Sequence, residues 1–148
     1  MDLIAMRVAL VKRVVDGTDR AVQGYPYPKG NEQLPCVVVH TADEYVDPYG
    51  TIAAMGGMAV VNLVLVLMAP CRVAYEDGMR VLDEMMSAGI DLPNSVADAI
   101  EADRTLGGVV DDVLLGVSSG HTGINPDEQG RPQAVICRWP LTVYAQRS

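Results

Sequence analysis

The chain has 148 residues, a formal net charge of −8, 49% hydrophobic and 20% charged residues, and no Phe. Such a size and composition suit one globular domain and exclude a disordered chain. The negative balance argues against a grip on nucleic acid through neutralised phosphates.

Asp2 to Asp16 predicts an amphipathic helix. Leu3, Met6, Leu10 and Val14, with Ile4, Val8, Val11 and Val15 beside them, give it a broad apolar face, and Arg7, Lys12 and Arg13 are expected on the surface. Gly17 stands where a C-terminal cap belongs. The opening residues carry Asp2, Arg7 and Lys12, which is not a secretory signal pattern, so synthesis and assembly in a cytoplasm are expected. Thr18 to Pro35 reads as a loop rich in Gly, Pro and Tyr, with room for a short strand at Ala21-Val22. Cys36 to His40 is a β-branched run and predicts a strand. Thr41 to Thr51 predicts an acidic hairpin arm or loop, interleaved with Tyr45 and Tyr49.

Met58 to Pro70 is the dominant segment, aliphatic at almost every position. Strand alternation would place Ala59, Val61, Leu63, Leu65 and Leu67 on one face and Val60, Asn62, Val64, Val66 and Met68 on the other. Asn62 is the polar exception, so both faces call for cover, as in a central strand or a sheet that meets another subunit. A buried helix is the rival reading; frequent Val, the preceding Gly56-Gly57 and Pro70 favour a strand. A membrane span needs about 20 apolar residues, more than this run supplies.

Arg72 to Ala88 predicts a helix with Val73, Tyr75, Val81, Leu82, Met85 and Met86 as its apolar positions. Gly78 inside it implies a close approach to the sheet. Asp91-Leu92-Pro93 is expected to open a second helix, with Val96, Ala99 and Ile100 facing inward and Leu106 following. Val109 to Ser119 reads as a strand, and Ser119 to Pro132 as a polar loop. Ala134 to Ala145 reads as a final strand, with Val135, Cys137, Trp139, Leu141 and Val143 on one face. Pro140 there suggests an edge or a bulge. The fold class that results is α+β, a mainly antiparallel sheet with helices packed on one face, in a single domain.

No residue pattern signals catalysis. His121, in Gly120-His121-Thr122-Gly123, has no partner at readable spacing, so a solvated loop histidine outweighs a general base. His40 ends an apolar strand and reads as a core-edge side chain. Asp43, Glu44 and Asp47 lack a calcium-loop pattern and read as a solvated arm. Asp111 and Asp112 fall on opposite faces of a strand. Cys36, Cys71 and Cys137 are far apart with no metal spacing, so buried free thiols are the simpler reading. Phosphate-loop and nucleophile-elbow motifs are absent. No cofactor, no metal and no enzymatic activity are expected. The surplus of apolar strand surface points instead to an interface.

With that layout in view, the chain resembles the tail-terminator proteins of long-tailed bacteriophages and the related neck proteins. The resemblance rests on the N-terminal helix, the Pro-led strand LPCVVVH, the long strand AVVNLVLVL and the helix pair. It also rests on the run Ala99 to Val113 with its Thr105-Leu106-Gly107-Gly108 turn before a strand, and on a closing strand after a variable loop. It implies a homo-hexameric ring that caps the tail tube, stops its polymerisation and joins it to a neck or head-completion protein while DNA passes through the lumen without specific binding. It implies residence at the head–tail junction of the virion, with tail tube protein and further copies of itself as partners. The interface residues expected on this reading are Val60, Asn62, Val64 and Val66 in the strand, Asp43, Glu44, Tyr45, Asp47 and Tyr49 in the arm, and His121 in the loop Ser119–Gly130. Alternatives are a neck or head-completion connector, and a small ligand-binding or hydrolytic domain with His121 and Asp111 at a pocket.

Overall fold

A computed structural model describes residues 1–48, 58–90 and 92–146. Tyr49, one of the expected interface residues, lies outside them. Helix α1 spans Leu3–Asp16 and opens on Asp2, whose carboxylate accepts from the backbone N–H of Ile4 and Ala5 at 3.0 Å each. This satisfies two of the donors a helix leaves unpaired at its start. The strands are β1 (Gln23–Tyr25), β2 (Cys36–Asp47), β3 (Ala59–Pro70), β4 (Asp112–Leu115), β5 (Thr122–Pro126) and β6 (Pro132–Ala145), and helices α2 (Tyr75–Met86) and α3 (Val96–Glu101) lie between β3 and β4.

The six strands form one sheet in the order β1-β2-β3-β6-β4, with β5 also paired to β6. The fold is α+β. All pairings are antiparallel except β1 with β2, which is parallel, so the sheet is mixed. β4 takes the Leu141–Tyr144 end of β6 and β5 takes the Pro132–Ile136 end, so β6 is central.

Alternation decides burial. Val37 and Val39, Val61 to Ala69 at alternate positions, and Val135, Cys137, Trp139, Leu141 and Val143 share one face and pack with Met6, Leu10 and Val14 of α1, Leu82 and Met85 of α2, and Ile100 of α3. A smaller cluster on the opposite face contains Cys36, Val38, Val66 and Ile136, with Tyr25, Leu34, Val64, Met68 and Ile124 against it, and no helical residue. The helices thus lie on one face, as expected. Gly78 of α2 is buried against that face: a Cβ there would stand 2.6 Å from Val135 Cγ1 and 2.9 Å from Cys71 Sγ.

Several expectations need correction. Strand β1 falls at Gln23–Tyr25, not at Ala21-Val22. β2 runs through the acidic arm to Asp47, with extra residues bulged out between Thr41, opposite Leu63, and Val46, opposite Val61. The first residues assigned to α2 stay outside the helix, where the Asp77 carboxylate takes the N–H groups of Val73 and Ala74; Val73 is 95% exposed. The second helix begins at Val96, not near Pro93, since Ser95 Oγ accepts from Asp98 N at 3.0 Å and sets the N-cap. The strand expected from Val109 to Ser119 narrows to Asp112–Leu115, and the expected polar loop contains β5.

Pro140 sits in the central strand instead of at an edge or bulge. Its carbonyl accepts from Gly116 N at 2.8 Å. The N–H and C=O of one strand residue point to the same side, so the missing donor faces the interval between β4 and β5 and leaves the ladder to β3 intact. Arg7 is also corrected. It is 6% exposed instead of solvated, and its Nη1 donates to the carbonyls of Pro26 at 2.8 Å and Val39 at 2.9 Å. β1 stops opposite Val38, so Arg7 occupies the first carbonyl of the β2 edge that β1 does not reach. Its guanidinium lies 4.3 Å from the Tyr27 ring centroid and 5.9 Å from that of Tyr45.

Candidate interaction surface

The face of the sheet without helices is built in rows by strand register. Cys36, Met68 and Ile136 form one row, and Val38, Val66 and Arg138 the next. His40, Val64 and Pro140 follow, then Asn62, Thr142 and Leu114, and last Asp47, Val60, Tyr144 and Asp112. The first rows are roofed by Tyr25, Leu34 and Ile124. Cys36, Val38, Val66 and Ile136 are buried beneath them while Arg138 stays exposed, and burial pushes the Cys36 thiol up to about 12, with the Glu32 charge adding to it.

The lower rows have no such roof among the described residues. Val60, Asn62, Val64, Thr142 and Tyr144 are half-buried, Pro140 is exposed, and Leu114 is 42% exposed. Asn62 is the polar centre of this region. Its Nδ2 donates to the Glu44 carbonyl at 3.0 Å and its Oδ1 accepts from Thr142 Oγ1 at 3.3 Å, so it ties the acidic arm to β6. His40 lies on the boundary between the roofed and open rows, and burial lowers its pKa, helped by the charges of Arg138 and Arg7. It is therefore neutral at pH 7, and the open region presents apolar and neutral polar groups, with the half-buried carboxylates Asp47 and Asp112 in its last row and the exposed Asp43 and Glu44 at its border.

The expected interface residues are thus divided. Val60, Asn62 and Val64 lie in the open rows, and Val66 is buried in the roofed ones. Tyr45 turns toward the helical side and packs on the main core. His121, expected as a solvated loop side chain, is docked on α2, its Nε2 2.8 Å from Asp83 Oδ1. His121 and Asp111 do not converge. Asp111 N donates to the Tyr144 carbonyl, whereas His121 precedes Thr122, which pairs with Ile136. About eight residues of β6 separate the two positions, roughly 26 Å at about 3.3 Å per residue. Asp112 is held instead by Arg104, with Nε to Oδ1 and Nη2 to Oδ2 both at 2.7 Å.

Sequence reasoning missed Leu114, Pro140 and Tyr144 as members of the open surface. Their alternate spacing along the last strands was the available signal, but it acquires meaning only once β4 is known to pair with β6. It also missed a second apolar surface, a groove of about 390 Å³ between the outer side of α1 and the Leu106–Val109 turn. Val8 and Val109, which line it, are 48% and 44% exposed. The excess breadth of the α1 apolar face was the trace of it in the sequence. The turn itself is fixed by left-handed backbone at Leu106, Gly107 and Gly108, and by the Asp103 carboxylate, which accepts from Thr105 and from Gly107 N.

Among the described residues, no group of three His, Cys, Asp or Glu side chains is placed to hold a metal ion, so Asp43, Glu44 and Asp47 do not gather into a cation site. No described helix is long and apolar enough to cross a membrane. No protein-family model matches the sequence, and no curated protein aligns with it.

Proposed function

We propose that this chain is a structural subunit of a phage virion, a tail terminator. Copies close into a homo-hexameric ring that caps the tail tube, stops its growth and offers the neck protein a seat. The observation that carries the reading is the half of the central sheet that the described residues leave without cover, around Val60, Val64, Pro140 and Leu114. Apolar surface of this kind, centred on a satisfied Asn62 and bordered by carboxylates, is suited to contact with another protein surface. Closure of a ring makes each contact heterologous, so this region meets a different surface on the next copy. A net charge of −8 suits a conduit past which DNA slides, since like charges repel phosphates.

The test is native mass spectrometry of the chain alone and mixed with tail tube protein, with Val60→Lys as the matched variant. The expected result is a ring for the wild type in at least one condition, and a folded monomer for Val60→Lys in both. A wild-type chain that stays monomeric at high concentration, with and without tube protein, overturns the assembly reading. A deletion then separates terminator from connector. Overlong tails are the outcome for a terminator, whereas normal tails unattached to heads would assign the chain to the neck.

A further inference from the structure

We draw no further inference here: the strongest candidate, the apolar groove of about 390 Å³ between the outer side of α1 and the Leu106–Val109 turn, has lining charges of both signs, Lys12 and Arg13 against Asp16 and Asp103, that select no partner, and nothing in the structure shows what covers it.

Discussion

The two faces of β3 are made of nearly the same residue types and have different fates. On the helical side Ala59 is buried, and Val61, Leu63, Leu65, Leu67 and Ala69 are buried in the core they share with α1, α2 and α3. On the other side Val66 is buried beneath Tyr25, Leu34 and Ile124, while Val60 and Val64 remain half-exposed. Apolarity therefore states a demand for cover, and the supply is set by what the rest of the chain can bring over. Three helices satisfy one face. On the other, the cover supplied by the described residues comes from the segment between β1 and β2 together with β5, and it reaches half of that face.

The sharpest way to break this comparison is thiol labelling. Cys36 lies under the partial roof, Cys137 lies under the helices, and both are 0% exposed, whereas Cys71 is half-buried. Burial raises all three thiols, so access should order their rates. With a neutral alkylating reagent at pH 8, Cys71 should react first. Cys36 and Cys137 should both lag by a factor on the order of 100 or more, because reaction awaits local opening. Cys36 reacting as fast as Cys71 would mean that the roof over its rows does not hold.

A pair of truncations one residue apart comes next. Leu65→Ala removes a fully buried side chain from the helical face and should cost about 2–5 kcal/mol in urea denaturation. Val64→Ala, on the open rows, should cost about 1 kcal/mol or less in the isolated chain. Equal losses would show that the open rows are as well packed as the core. Gly78→Ala sharpens the helical side further. The helix-propensity gain of about 1 kcal/mol is opposed by contacts at 2.6 and 2.9 Å, for a net loss of about 1–2 kcal/mol. A stabilised variant would mean that α2 sits looser on β6 than its packing implies.

The sequence made β3 and β6 legible because alternation along a strand survives whatever the neighbours do, and the face assigned to Val135 through Val143 is the face observed. It left β5 illegible: Thr122-Gly123-Ile124-Asn125-Pro126 has little intrinsic strand preference and is extended because β6 offers it an edge. Arg7 was illegible for a related reason. The carbonyls that hold it belong to residues 19 and 32 positions away, and no local pattern encodes such a partner. His121 is the same case, with Asp83 lying 38 positions earlier. Of the candidate surface, the residues of β3 could be read directly; its division into roofed and open rows depends on loop placement, which spacing does not reveal.

The smallest effect expected lies on the exposed side of α2, where it meets the loops before β1 and α3. The Glu84 carboxylate accepts from Asn94 Nδ2 and Arg20 Nη2, and these bonds, Asn94 first, hold its pKa below the ordinary 4.5. A carboxyl whose pKa is lower in the folded state binds its proton more readily in the unfolded chain. Its stabilising contribution is therefore complete above about pH 4.5 and is lost as pH falls through the folded value. Glu84 is 44% exposed, so solvent screening keeps the contribution to at most about 1 kcal/mol. Glu84→Gln should lower stability by that small amount at pH 7, and the difference from wild type should shrink toward zero in denaturation series taken below pH 4. A difference that grows in acid would reverse the sign of the linkage and remove Glu84 as a clamp between α2 and the loops it joins.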